Sequence, residues 1–277
     1  MNSINCKGKL LSVDEPLVMG IINATPDSFY KGHLQMNTAE IVSLAGRMIS
    51  DGADILDIGG QSTRPGSLTV SAIEETDRVL PVIEAIHQSF PDTVISIDTY
   101  QSIVARAAIQ AGASIINDIS GGNMDADMLS AAAALQVPYI CMHMQGTPAS
   151  MQHNPVYTDV VKEVLDYFIE KVESCKAAGI TDIIIDPGFG FGKTIEHNFQ
   201  LLKHLSLFGI TGKPVLAGLS RKSSIYKTLG NTAEAALNGT TVLNSIALMN
   251  GASILRVHDV KEAKEAVTLY NAYKKAP

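Results

Sequence analysis

Two clusters of cations stand where short apolar runs end. Ser220-Arg221-Lys222-Ser223-Ser224 follows the run Pro214 to Leu219, and Arg256-Val257-His258-Asp259 follows the run Ala252 to Leu255. Each lies where a strand hands over to a helix. Two such clusters on neighbouring strand ends make a site for a doubly charged anion, a phosphate or a pyrophosphate.

The other apolar runs also finish in groups that bond polar ligands or hold charge: Asn23, Asp57 ahead of Gly59-Gly60, Asp98, Asn117, His143 and Asp186. A lone Asp at a strand end ordinarily caps the next helix, and Asp98-Thr99 fits that reading. A whole set of polar ends facing one mouth does not. A carboxylate accepts two parallel hydrogen bonds from a flat amidine-like edge, as on a pterin or guanine ring. An amide reads mixed edges. Asp98, Asn117 and Asp186 suit such a ring, with Lys222 as a donor to it. The ordinary alternative for Lys222 is a buried ion pair with one of these Asp residues.

Two polar loops, 23–32 and 59–67, are rich in Gly, Pro and hydroxyls and suit covers that exclude water. Arg64 in the second can meet a carboxylate or phosphate, or be a solvated loop Arg. The stretch Pro187-Gly188-Phe189-Gly190-Phe191-Gly192-Lys193-Thr194 mimics a nucleotide phosphate loop, but Pro187 stands where that loop needs Gly. It reads better as a Gly-rich turn bringing Phe191 up as a wall for a flat substrate. His143, His153 and His258 form no metal set with Cys141. His143 reads equally as a packed barrel histidine or a ligand contact. A hard cation held by Asn23, water and phosphate oxygens suits magnesium.

Positioning these groups takes a frame that brings many strand ends together. Eight β-branched-rich runs recur: Leu17–Ile22, Ile55–Ile58, Val94–Ile97, Ser114–Asn117, Tyr139–Met142, Ile183–Ile185, Val215–Leu219 and Ile254–Val257. They are continuous rather than alternating, as strands buried on both faces are. Amphipathic segments lie between them. Capping-box spacing predicts helix starts at Asn37, Ser71, Asn231 and Asp259, and helix ends are predicted at Gly52, Gly112, Gly179, Gly209 and Gly251. The predicted fold is α/β: a single (β/α)8 barrel over residues 1–277, with an open doubly wound sheet as runner-up. Cys6 to Asp14 predict a small N-terminal hairpin or cover over the barrel floor.

The chain has 277 residues, 46% hydrophobic and 18% charged, with a net charge of −7. The size fits one α/β barrel, and the charge argues against a nucleic-acid or membrane-surface partner, both of which need a basic face. Cys6, Cys141 and Cys175 are scattered and odd in number, which reads as reduced thiols. With no apolar N-terminal core and no membrane-length apolar run, the expected location is the cytoplasm.

Five motifs in order carry a family resemblance: Asn23 to Phe29 (Asn-Ala-Thr-Pro-Asp-Ser-Phe), Gly59 to Gly66 (Gly-Gly-Gln-Ser-Thr-Arg-Pro-Gly), Asp186 to Gly190 (Asp-Pro-Gly-Phe-Gly), Ser220 to Ser223, and Arg256 to Asp259. Together they resemble the dihydropteroate synthases. The resemblance implies a (β/α)8 transferase that joins dihydropterin pyrophosphate to para-aminobenzoate in folate synthesis, releasing pyrophosphate. It implies that Asp98, Asn117, Asp186 and Lys222 hold the pterin and that Asn23 binds magnesium. Arg256 and His258 would hold the pyrophosphate, and Thr63, Arg64 and Pro65 would cover the aminobenzoate. Phe191 and Ser223 would frame that second substrate. Asp98, Asp186, Lys222 and Arg256 would carry the chemistry by electrostatics, without a strong general base. A homodimer is also implied. Gln61 in place of Glu, and Tyr30-Lys31-Gly32-His33, depart from the family pattern. Competing readings are a pterin-binding methyltransferase and a non-catalytic pterin-binding protein. Arg221 is left without a role.

Overall fold

The computed structural model describes residues 3–24, 38–61, 69–151 and 154–277. It opens with an antiparallel hairpin, β1 (Ser3–Cys6) and β2 (Lys9–Ser12). Eight parallel strands then alternate with helices. Strand β3 (Leu17–Asn23) precedes α1 (Thr38–Ser50), β4 (Ile55–Gly59) precedes α2 (Ala72–Ser89), and β5 (Val94–Asp98) precedes α3 (Ser102–Ala111). Next come β6 (Ile115–Asp118) and α4 (Met128–Leu135), β7 (Tyr139–Met142) and α5 (Val160–Ala178), then β8 (Ile183–Asp186) and α6 (Ile195–Lys203). A 3-10 helix, Leu205–Thr211, leads into β9 (Leu216–Ala217) and α7 (Ser223–Tyr226). Helix α8 (Leu237–Met249), β10 (Ile254–Val257) and α9 (Val260–Lys275) complete the chain.

The strands pair in the order β8-β7-β6-β5-β4-β3-β10-β9, and a parallel bridge between Ile185 and Val215 joins the two ends. Ile185 N donates to Pro214 O at 3.0 Å across that seam. The sheet therefore closes, and the barrel reading stands over the open sheet. All eight predicted strands are present, but the run Val215–Leu219 pairs as β9 over Leu216–Ala217 only. Beyond Ala217 the chain turns toward Lys222, whose N–H donates to Leu219 O at 3.2 Å.

The continuous apolar runs separate into two cores by alternation. Outward residues such as Val18, Leu56, Ile95 and Ile116 meet the helices in one large cluster. Inward residues near the strand starts, Ile55, Val94, Ile115, Ile140, Ile184, Leu216 and Ile254, form a second cluster within the barrel. Ile4 and Cys6 of the hairpin join this inner cluster and seal its floor, while Asn5 N bonds the Asp182 carboxylate at 2.8 Å. The expected cover is thus a hairpin beginning at Ser3, ahead of the predicted Cys6.

Helix signals are met unevenly. Ser71 caps α2 by accepting from Glu74 N at 3.2 Å. Asn37 lies outside the described residues. Asn231 begins no helix: α8 starts at Leu237, and Asn231 N bonds Tyr226 O at 2.8 Å within a turn. Asp259 is the N-cap residue of α9, yet its side chain makes no cap bond. The helix-to-strand turns at Gly52, Gly112 and Gly251 share φ of +99°, +127° and +93°, so one left-handed connection recurs. Gly209 lies inside the 3-10 helix instead, which ends at Gly212 with φ +64°.

Candidate active site

Above the apolar tier, the same inward alternation places Asp57, Ser96, Asn117, Met142, Asp186 and Arg256, and then Asn23, Gly59 and Asp98 at the rim. A narrow pocket opens at these C-terminal ends, lined by Asp98, Asn117, Asp186, Phe191, Lys222 and Arg256 together with Ile119, Met142 and Gly218. This is the end where barrels of this kind build their sites. A second depression, beside Asp182 and Lys213, lies at the barrel floor.

Arg256 is the centre of an ionic cluster. Its Nε donates to Asp57 Oδ2 at 2.6 Å and its Nη2 to Asp98 Oδ2 at 2.6 Å. Asn117 Nδ2 donates to the same Asp57 oxygen at 3.0 Å. Asp57 is fully buried, and its Oδ1 finds no partner among the described residues. Burial pushes the Asp98 carboxyl up to about 7 against the pull of Arg256, with Asp57 adding a like charge beside it. The buried ion pair considered for Lys222 is therefore made by Arg256. Asp98 caps no helix: the Ser102 N–H at the start of α3 bonds Asp125 at 2.7 Å.

Lys222 approaches from the loop after β9. Its ammonium donates to Phe189 O and stands 4.8 Å from the centroid of the Phe191 ring. Burial lowers its pKa to about 8, with Asp186 opposing that shift. Asp186 closes β8, accepts from Gly188 N at 2.8 Å, and is pushed up by burial while Lys222 and the Gly188 bond hold it back. Phe191 comes to the pocket on the turn after β8, in the position expected of a wall.

The two cation clusters meet. Ser220 Oγ and His258 Nδ1 are 3.0 Å apart, and His258 N donates to Ser220 Oγ at 3.2 Å. His258 is exposed at the mouth, yet the protein packed around it, with Arg256 adjacent, takes its pKa down to about 4. Ser223 opens α7 directly after Lys222. Asn23 ends β3 exposed at the mouth. Thr63, Arg64 and Pro65 lie outside the described residues, as do the cover loop from Thr25 onward and His153.

His143 proves to be a packed histidine. It is buried, 4.8 Å from the Tyr167 ring centroid in edge contact, and its Nδ1 stands 3.0 Å from Lys193 Nζ. Two residues escaped the sequence reading. Asp57 had only a place among the strand ends, yet it anchors both Arg256 and Asn117; the available signal was its sharing of a strand face with Ile55 and Gly59. Arg221 forms a bidentate pair with Asp259, Nε to Oδ2 and Nη2 to Oδ1 at 2.9 Å each. Its Nη1 donates to Ala233 O at 2.9 Å and Glu234 O at 2.7 Å. It fastens the loop after β9 to the end of β10 and to the turn before α8. Gln61, at the position of the family departure, is buried and bonds Tyr100 OH through Nε2 at 2.8 Å.

The model of the pterin binding enzyme family matches residues 19–258, from the first barrel strand to His258. The dihydropteroate synthase of Escherichia coli is 46% identical over 268 residues, 96% of this chain and 94% of that protein. A Yersinia pestis dihydropteroate synthase crystallised with a sulfonamide drug superposes with a TM-score of 0.94 at 44% identity, covering 99% of this chain and all of that one. A Xanthomonas albilineans dihydropteroate synthase with 4-aminobenzoic acid gives a TM-score of 0.93 at 42% identity, covering 99% of both chains. With a match over nearly its whole length, at such identity, in both sequence and fold, the chain belongs to the pterin-binding enzyme family, among the dihydropteroate synthases.

Proposed function

We propose that the chain condenses dihydropterin pyrophosphate with para-aminobenzoate, giving dihydropteroate and pyrophosphate. The observation that carries this is the polar tier closing the barrel. Two acids and an amide, Asp98, Asp186 and Asn117, share one narrow pocket with Lys222, and both cation clusters border it. That donor and acceptor set matches a pterin edge on one side and an anionic leaving group on the other. The 4-aminobenzoic acid bound to the Xanthomonas relative supports the second substrate.

On this reading Asp98, Asn117, Asp186 and Lys222 orient the pterin, and Phe191 and Ser223 border the aminobenzoate, with Thr63, Arg64 and Pro65 covering it. As pyrophosphate departs, positive charge spreads from the methylene into the ring, where Asp98 and Asp186 favour it. Arg256 and His258 meet the negative charge of the leaving group. The weakly basic aromatic amine attacks without a strong general base, so positioning and electrostatics carry the step.

Magnesium fits the donors at Asn23. That residue offers one hard amide oxygen at the mouth, and among the described residues no three His, Cys, Asp or Glu side chains converge as a cage. The ion would take its other ligands from water and pyrophosphate, as magnesium does. When bound it would neutralise charge on the leaving group.

A homodimer is proposed through α8, whose exposed Val242, Ile246 and Met249 lie on one face, with Leu207 and Ile210 also exposed on the 3-10 helix. The cytoplasm is the proposed location; the three cysteines are unpaired and buried, and among the described residues no helix is long and apolar enough to cross a membrane.

Pyrophosphate release from dihydropterin pyrophosphate, with and without para-aminobenzoate and magnesium, tests the reading. Aminobenzoate-dependent release is expected, and its absence defeats the proposal. Asp186→Asn should weaken pterin binding by about 2–4 kcal/mol in calorimetric titration. Unchanged affinity removes Asp186 from the ring site.

A further inference from the structure

Lys193 is buried to 3% exposure, deeper than any other lysine or arginine among the described residues. No carboxylate among those residues lies within ion-pair distance of it. Its ammonium instead faces Gly188 O and Phe191 O at 3.0 Å each, His143 O at 3.3 Å, and His143 Nδ1 at 3.0 Å. An ammonium has three protons, and four acceptors surround this one. Three backbone carbonyls converging on one point form a cation cradle, which the chain fills with its own side chain.

The cradle exists because two stretches of backbone lie almost in contact. A Cβ on Gly188, at φ +70°, would stand 2.0 Å from His143 O, and one on Gly192, at φ +60°, would stand 2.4 Å from Gln145 O. The turn after β8 is thus pressed on the segment after β7, with carbonyls of both pointing inward. Without a cation between them these dipoles repel, and burial removes the water that would otherwise satisfy them. On its other side the turn offers Phe189 O to Lys222 and sets Phe191 beneath the Lys222 ammonium.

We propose that Lys193 is a positioning residue for the reaction: by filling this cradle it fixes the turn of residues 187–194, and with it the Phe191 ring and the Lys222 ammonium. The inference rests on the pocket assignment made above. Lys193 does not itself line the pocket; it acts through Phe191, whose backbone oxygen it holds, and through Lys222. Its 3% exposure leaves it little contact with water, and that burial drives its pKa down to about 7, with Asp186 opposing and Lys222 reinforcing the shift.

A kinetic double-mutant cycle tests it, using wild type, Lys193→Met, Phe191→Leu and the double variant. Lys193→Met keeps the chain length and removes every donor. It should raise the aminobenzoate KM about tenfold while kcat changes less, the pattern of a misplaced wall. The double variant should match Lys193→Met within about twofold, since both changes remove one shared effect. Wild-type constants in the folded Met variant, or effects that multiply in the double variant, overturn the proposal. If Lys193→Met does not fold, Lys193→Gln enters the same cycle and the same outcomes decide. The 19F resonance of 4-fluorophenylalanine at position 191, assigned by its loss in Phe191→Leu, gives a readout without turnover. It should shift or broaden in the Lys193 variant; an unchanged resonance overturns the positioning role. Absent wild-type turnover alongside a moved resonance would instead sink the proposed function and leave the loop assignment standing.

Discussion

Replacing Arg221 tests whether the loop after β9 is held by its side chain or by its backbone. The guanidinium makes two bonds to Asp259 and two to the carbonyls of Ala233 and Glu234, with the paired side chains 26% and 19% exposed. That exposure screens the ion pair, so the four charge-assisted bonds together contribute about 2–4 kcal/mol. Some returns on mutation. Asp259 is the N-cap residue of α9 without a cap bond, and once released its carboxylate can cap that helix, worth about 1 kcal/mol. Arg221→Ala should therefore cost roughly 1–3 kcal/mol. The backbone acts separately. Arg221 has φ +53°, a left-handed conformation that disfavours any residue with a Cβ by about 1–2 kcal/mol. Arg221→Gly loses the same bonds but relieves that strain, and should be about 1 kcal/mol less harmful than Ala. With about 2–4 °C per kcal/mol for chains near this size, the Ala variant should melt roughly 2–12 °C below wild type, with Gly between them. Thermal denaturation of the three proteins checks this, and Asp259→Asn in a double-mutant cycle isolates the ion pair. An Ala variant melting with wild type, or a Gly variant less stable than Ala, would refute the reasoning.

Gly188→Ala should destabilise by about 3 kcal/mol or more, because its Cβ meets His143 O at 2.0 Å on a backbone with φ +70°; a urea midpoint equal to wild type contradicts that close approach. The pH dependence of stability should carry opposed contributions from the buried ionisable groups, with His258, lowered from 6.5 to about 4, adding stability as pH rises toward 6.5. Asp98, raised from 3.8 to about 7, binds more protons folded than unfolded between those values, so its contribution falls as pH rises toward 7. Lys193 and Lys222, lowered from 10.5 to about 7 and 8, bind fewer protons folded above those values, so their contributions grow as pH rises toward 10.5. Urea titrations from pH 4 to pH 10 on wild type and Asp98→Asn check both limbs. The stability of wild type relative to the Asn variant should fall from pH 4 to pH 7, and both proteins should show the alkaline rise.

The barrel was legible because each strand carries its own signal: a short β-branched run closed by a polar residue. The same alternation that sorts Ile55 from Leu56 sends Asp98, Asn117 and Asp186 inward, so the pocket's acids could be named from one dimension. What stayed hidden depends on partners far along the chain. Asn231 had the spacing of a capping box, but Arg221 takes the carbonyls of Ala233 and Glu234, which a helix would use for itself. Asp259 likewise had the look of a cap, and its carboxylate goes to Arg221 across 38 positions. Arg256 reads as a phosphate ligand from its neighbours in sequence, while its contacts with Asp57 and Asp98 join strands at opposite ends of the chain. Lys193 hid inside a decoy motif, since nothing local says that carbonyls from two loops will converge on it. The glycines gave the remaining clue, because Gly188 and Gly192 are required by close approach and not by a tight turn alone.

The two-residue length of β9 gives the barrel a weakest join. Every other interstrand pairing is a ladder of at least two register positions, whereas β8 and β9 meet through the single bridge of Ile185 and Val215. Asp186 stands on one side of that join and Lys222 follows on the other, so the acid and the ammonium of the pocket come from the two strands with the shortest pairing. The barrel is a clasped ring, closed all the way round, with its clasp set between the two groups that would hold a flat ring from either side.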